Sequence, residues 1–394
     1  MNNPILPAQA GSRNPAPSEP PPAPKHRRTG GSHTPKTPPA TRTLFTIQAL
    51  RACAAAAVVA YHCFHMLVHN GGYTLAVPHI GASGVDLFFV ISGFIMIYTS
   101  RNAFCQPQAS LTFIRRRAIR ILPLYWLYTT AVVLLLAFAP GLFAEVEFDR
   151  RHVVMSYLLL LSENSMGVVG TVMQTGWTLC YEVYFYLLFA VLLNLPRRYF
   201  LPLSGAVFIA GVALAARLWS PPAWATVATD PLLFEFHLGA LLAFLFLKGR
   251  VLPRHLAMAA IVLGVVAILM TGKVDINAGK WTRVICWGLP CAAILFGAVS
   301  LERAELKVPR LLTALGDSSY SLYLAHPFII PALGKAWMAL DLSGRLPPAV
   351  LFLIAFGCSL AAGHLLHLTI EKPLTRRLSQ AWKSPAAQPG SVAA

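Results

Sequence analysis

Arg51 and His62 stand eleven residues apart within an otherwise apolar stretch, 47–68. Eleven steps of about 100° make three helical turns and roughly 20° more, so a helix puts both side chains on one stripe, about 16 Å apart along its axis. A planar guanidinium at one end of that stripe can grip a phosphate. An imidazole further along can take or give a proton near neutral pH, as a general base must. The plainer alternative is a charge anchor followed by a packed polar residue, and spacing alone leaves both open. His65 and His69 continue on a related face, but no carboxylate spacing completes a ligand set, so no metal is expected.

Further polar groups recur where apolar runs should exclude them. Asp86 sits at the edge of the run Gly81-Ala-Ser-Gly-Val-Asp86-Leu-Phe-Phe-Val-Ile-Ser-Gly93, whose small residues suit close helix contact. It could hold an acceptor hydroxyl or orient a histidine. Arg117 and Arg120, three apart before Pro123, are neighbours on a helix and read as headgroup contacts or as a second phosphate clamp. Trp177-Thr-Leu-Cys-Tyr-Glu182 opens another span. A carboxylate at that depth is protonated or matched to a basic group, with a sugar-binding or histidine-orienting role in view. Tyr320 and His326 lie in Ser318-Ser-Tyr320-Ser-Leu-Tyr-Leu-Ala-His326-Pro327, halfway along a late span. Asp317 and Glu371 read as partners of arginines at the membrane edge. Arg217, Glu235 and His237 are read as paired with one another or as lining a cavity.

The elements that must position these groups are helices in lipid. Hydrophobic residues make up 56% of the 394 and charged residues 12%, about half the charge of a soluble domain. Mean hydropathy is +0.60. The net charge of +17 would raise nucleic-acid binding in a soluble protein. Here the lysines and arginines fall in short segments between apolar runs, with no nucleic-acid fold signature. The seven cysteines show neither disulfide nor metal spacing. Apolar spans are expected near 47–68, 84–99, 121–139, 178–195, 200–218, 231–247, 256–271, 283–300, 316–337 and 348–370. The stretch 153–162 is too short to cross and is expected to be re-entrant or interfacial. With ten spans, most of the 32 basic residues share the side of the amino-terminal tail, which the positive-inside rule makes cytoplasmic for both termini. Residues 1–44 read as a disordered, Pro-rich basic tail without a signal-peptide core. The expectation is therefore an all-α polytopic membrane protein of about ten transmembrane helices.

Taken in order, six motifs resemble those of the acyltransferase-3 family of membrane O-acyltransferases. They are Arg51 to His62, the Gly84–Phe94 run, Arg117/Arg120 before Pro123, Trp177 to Glu182, Tyr320 to His326, and Glu371 to Pro373. The resemblance covers residues 45–378, leaving 379–394 as a short cytoplasmic tail. The wording around Leu50-Arg-Ala and Arg117–Trp126 is most similar to the branch that acetylates bacterial exopolysaccharides.

The resemblance implies transfer of an acyl group, commonly acetyl from acetyl-CoA, onto a carbohydrate hydroxyl such as that of an exopolysaccharide or lipopolysaccharide unit. It implies His62 as catalytic base or acyl relay, with Glu182 and Asp86 beside it. Arg51, Arg117 and Arg120 would handle the CoA donor, and Trp177, Tyr320 and His326 the acceptor. It also implies the bacterial inner membrane as location and polysaccharide synthesis machinery as a partner. Two departures stand out: Thr178 replaces a serine common in the family, and the fused esterase-like domain of some members is absent. The rival is a transporter or flippase of a glycan or small polar solute, whose buried charges would line a route. The two halves show no convincing repeat of the kind such proteins often carry.

Overall fold

A computed structural model describes residues 43–69, 71–138, 148–217, 221–273, 279–304 and 306–382. Nearly all of the amino-terminal tail and most of the carboxy-terminal one lie outside the described residues. Helices dominate, as the apolar runs require: a backbone in lipid must satisfy its own hydrogen bonds. They are α1 (Phe45–His69), α2 (Gly84–Thr99), α3 (Ala109–Phe138), α4 (Arg150–Tyr157), α5 (Gly176–Leu192), α6 (Phe200–Arg217), α7 (Leu233–Leu247), α8 (Arg254–Met270) and α9 (Lys280–Arg283). After them come α10 (Leu289–Arg303), α11 (Arg310–Asp317), α12 (Ser319–Ala339), α13 (Pro348–Leu366) and α14 (Lys372–Ala381). A π-helical turn joins α9 to α10, and another joins α13 to α14.

Among the described residues, six helical stretches are long and apolar enough to cross a membrane, those containing α1, α2, α3, α6, α10 and α13. Three shorter apolar helices, α5, α7 and α8, accompany them. The chain is thus a polytopic α-helical protein. The stretches containing α2 and α10 lie at the centre: the most apolar window of each is 67% buried, against 17% for the α6 stretch and 22% for the α13 stretch at the periphery. The α2 helix is the better connected of the two. It packs on α1, α7 and α10, while α12 packs on α1 and α13. Gly93 and Gly239 make the α2–α7 crossing possible. A Cβ on Gly93 would lie 1.9 Å from the Phe236 carbonyl oxygen, and one on Gly239 1.9 Å from that of Val90. Backbones touch here because neither helix has a side chain in the way.

The arginine-rich segment before Pro123 is helical, as the spacing of Arg117 and Arg120 implies: α3 begins at Ala109 and runs through that proline. The stretch 153–162, too short to cross, is broken into helix, turn and strand. Asp149 caps α4 by accepting from the Arg151 amide at 2.8 Å. The helix then stops at Tyr157, and Leu159 takes a left-handed conformation with φ of 55°, uncommon for a side chain of this bulk. The chain turns there into a small antiparallel hairpin, Ser162–Glu163 against Val169–Gly170. Ser156 and Tyr125 tie this rim to α3: the Tyr125 hydroxyl donates to the Ser156 carbonyl at 2.9 Å.

Candidate active site

The α2 helix, the early parts of α1 and α12, the first half of α5 and the segment of α3 around Arg117–Ile121 enclose a chamber of about 90 Å³. Arg51, Arg117, Arg120, Glu182 and Tyr320 all line it, five of the side chains singled out in the sequence. Arg51 is nearly buried, at 8% exposure. Its guanidinium donates to Ser319 Oγ at 2.8 Å and to Gln48 Oε1 at 3.2 Å. Among the described residues it forms no ion pair with a carboxylate. A buried charge with only neutral partners is costly unless an anion completes it. Arg117 lies over the rings of Phe113 and Tyr186, 5.4 and 5.3 Å from their centroids. The two ring faces attract the guanidinium charge and help to position it at the chamber wall.

Glu182 is held by hydroxyls: Ser92 Oγ donates to its Oε1 at 3.0 Å, and the Tyr186 hydroxyl donates to the same oxygen. The sequence placed this carboxylate toward the acceptor side. It shares the arginine chamber instead, because its turn of α5 faces the Arg117–Ile121 segment of α3 and the early part of α12. The Tyr320 hydroxyl donates to the Ile121 carbonyl at 2.9 Å and so ties α12 to α3.

The two ends of the Arg51–His62 stripe meet the same helix. Arg51 bonds Ser319 at the start of α12, and the His62 ring lies 4.9 Å from that of His326 one third of the way along. α1 and α12 therefore run parallel. His326 is fully buried, and its Nδ1 sits 3.2 Å from the Leu322 carbonyl oxygen. A carbonyl can only accept, so Nδ1 carries the proton and Nε2 keeps a lone pair. That Nε2 has no partner among the described residues. A buried, neutral imidazole with a free lone pair is poised to accept a proton. Around the other side of His62, Tyr61 and His65 continue the ring contacts, with Tyr61 centred 5.1 Å from His62 and 4.9 Å from His65.

Asp86 is the clearest departure from expectation. It is fully buried and takes both donors of Arg283 at 2.9 Å each, a bidentate pair between α2 and α9. It therefore orients no histidine and reaches neither cavity. Arg283 is also flanked by Trp177 and Trp287, 5.7 and 5.3 Å from their centroids. Sequence reasoning missed this arginine because it stands at a span boundary, where a basic residue reads as topology. Trp177 points away from the arginine chamber and lines a second cavity, discussed below. Glu371 meets His367 at 2.9 Å and Ser321 at 2.6 Å rather than an arginine. His237 bonds Ser204 at 3.1 Å, while both oxygens of Glu235 lack partners among the described residues.

Comparison with known proteins narrows what such a site does. A family described as an acyltransferase domain matches residues 45–368. The exopolysaccharide production protein ExoZ of Rhizobium meliloti is 35% identical over 79% of this chain and 95% of its own length. The acyltransferase MdmB of Streptomyces mycarofaciens is 26% identical over 87% of this chain and 94% of its own. The O-acetyltransferase OatA of Staphylococcus aureus is 25% identical over 85% of this chain, a region that is 58% of the longer relative. No solved structure matches the chain.

Proposed function

The chain belongs to the acyltransferase-3 family and is an acyl-transferring enzyme of the membrane; from that premise we propose that it moves an acetyl group from acetyl-CoA to a carbohydrate hydroxyl. The observation that carries the donor half is Arg51, buried beside Arg117 and Arg120 and in no ion pair with a carboxylate among the described residues. Three guanidiniums around one carboxylate favour an anionic ligand bearing phosphates. The chamber, about 90 Å³, is far below the roughly 300–1,000 Å³ of a site that encloses a whole cofactor-sized ligand. It suits the narrow thioester end of the donor, with the nucleotide on the basic rim of α3, where Arg115 and Arg116 are exposed.

The chemistry at the imidazole pair balances simply. The acceptor oxygen attacks the thioester carbonyl carbon, the carbon–sulfur bond breaks, and the hydroxyl proton passes through imidazole to the departing thiolate. His62 is the base or acyl relay, and His326, with its fixed tautomer, supports it from 4.9 Å. Glu182 offsets the positive charge of the donor chamber, Tyr320 helps wall it, and Asp86 locks α2 to α9 through Arg283. The acceptor is proposed as an exopolysaccharide or related glycan, in keeping with the name of the relative ExoZ.

Ten spans are proposed: the six long helices, the three shorter ones and α12. This count leaves both termini cytoplasmic and the donor chamber facing the cytoplasm across a bacterial inner membrane. The domain limits follow: a basic tail over 1–44, the membrane domain over 45–378 and a short tail over 379–394. Polysaccharide synthesis machinery is the proposed partner. Purified chain in lipid nanodiscs, given radiolabelled acetyl-CoA and deacetylated glycan, is expected to release free CoA and leave alkali-labile label on the glycan. Glycan or solute crossing a vesicle membrane with no thioester cleaved would contradict this reading and support transport.

A further inference from the structure

At the end of the bundle away from the arginines lies a larger cavity, of about 770 Å³. Its size is that of a site enclosing a substantial ligand, roughly 300–1,000 Å³. The same helices line both spaces at different heights. α3 contributes Arg117 and Arg120 to the chamber and Val132, Leu135 and Leu136 to the cavity, while α12 contributes Tyr320 and Tyr323 to the first and Pro327 to Lys335 to the second. Asp149, His152, Asn164, Gln174 and Trp177 supply its polar and aromatic wall.

That wall is built rather than incidental. Asp149 caps α4, and His152 Nδ1 meets Ser162 Oγ at 2.8 Å, joining α4 to the hairpin. Asn164 Oδ1 accepts from the amides of Met166 and Val168 at 3.0 and 2.9 Å and so fixes the hairpin turn. The Val172 amide donates to Ser156 Oγ at 2.8 Å. Burial holds the His152 imidazole below the ordinary histidine range, which keeps it a neutral hydrogen-bonding group at pH 7. The lining is largely apolar, with Leu135, Val169 and Phe328 among it, and its polar side chains include one acid, Asp149, one base, Lys335, the His152 imidazole, two amides and an indole. Amides give and take hydrogen bonds as sugar hydroxyls do, and an indole offers a flat apolar face with a polar edge. A nucleotide or polyphosphate would need the cationic lining found only at the other end.

The two spaces are separated by about one helical turn. Trp177 lines the cavity and its neighbour Thr178 the chamber; Pro327 and Phe328 line the cavity, next to His326. Thr178 Oγ1 lies 2.9 Å from the Tyr323 hydroxyl, which is also 3.3 Å from the Thr175 carbonyl oxygen. Pro327 has no amide hydrogen to give to the Tyr323 carbonyl, so α12 lacks one of its own bonds at this partition.

We propose that the larger cavity is the acceptor site and takes an uncharged oligosaccharide segment, stacked on Trp177 with its hydroxyls on Gln174 and Asp149. The partition of Thr178, Tyr323 and His326 then separates donor from acceptor. This rests on the acyl-transfer reading above. It adds the location of the acceptor and that the bound segment is uncharged.

The test is to fill the cavity. Gly170 lines it with nothing within 4 Å of an added Cβ, so Gly170→Trp should introduce bulk there without disturbing the fold. Met166→Trp adds the same bulk to the same hairpin, outside the cavity lining. The full chain in nanodiscs is assayed with acetyl-CoA and with deacetylated oligosaccharides, two to six sugars long, from the producing cells' own polysaccharide. Glycan binding is read separately by saturation-transfer NMR, which needs no turnover. Gly170→Trp is expected to raise the acceptor KM at least tenfold and abolish the NMR signal, with the acetyl-CoA KM unchanged. Gln174→Leu should raise the acceptor KM several-fold, and Met166→Trp should match wild type. Wild-type acceptor KM in Gly170→Trp, or a rise in donor KM alone, overturns the proposal. Wild-type chain that binds glycan in this cavity but leaves acetyl-CoA intact supports the cavity and contradicts the transfer reading alone.

Discussion

At one end of the bundle three arginines and a glutamate crowd a space of about 90 Å³; at the other, apolar side chains with one carboxylate, one ammonium, two amides and an indole line about 770 Å³. Both are walled in part by α3, α5 and α12, but α1 and α2 complete the first and α4 with the hairpin completes the second. The small charged space fits the end of an anionic donor, and the large mixed one fits a neutral polyhydroxylated acceptor. His326 stands at their boundary, with His62 against it. The proposed transfer, with one substrate from each face of a membrane, needs such an asymmetry.

The contrast can be broken most sharply at the charged end. Arg51→Gln or Arg120→Gln should raise the acetyl-CoA KM roughly ten- to a hundredfold, since a hydrogen bond to a charged group is worth about 1.5–3 kcal/mol. Steady-state kinetics at saturating glycan should show the acceptor KM unmoved. A shift confined to the acceptor would exchange the roles of the two spaces.

A second substitution separates scaffold from site. Gly93→Ala forces a Cβ into the Phe236 carbonyl across the α2–α7 crossing. It should destabilise the fold by about 1–3 kcal/mol, read as earlier thermal unfolding in detergent. The surviving folded protein should keep both KM values. The smallest effect belongs to Thr178→Ser, which retains the hydroxyl that meets Tyr323; transfer rates should stay within about twofold of wild type, because a hydrogen bond is kept and only a methyl is lost. Thr178→Val, which removes the bond, should cost more.

Much of this architecture is legible in the sequence for a physical reason. Helices in lipid announce themselves as apolar runs, and the observed helices fall within a few residues of most expected spans. The Arg51–His62 stripe is legible too, because helical spacing is local. What escapes is long-range. Asp86 finds Arg283 nearly two hundred residues away, and no local pattern marks that pairing. Glu182 joins the arginines because three helices converge, although its own span reads as a descent from the opposite face. The stretch 153–162 reads only as too short to cross, and the cap at Asp149 and the left-handed Leu159 then divide the chain there into helix, turn and hairpin. The wall of the larger cavity draws on that irregular stretch, whose residues show no period to read.

The central claim is that the two spaces exchange an acetyl group at His62. It is tested most directly by His62→Ala in nanodiscs, measuring acetyl-CoA binding by equilibrium dialysis alongside CoA release and glycan O-acetylation. Donor binding should stay within about twofold of wild type, since the arginine chamber is untouched, with glycan O-acetylation abolished. Wild-type O-acetylation in that variant would contradict the claim.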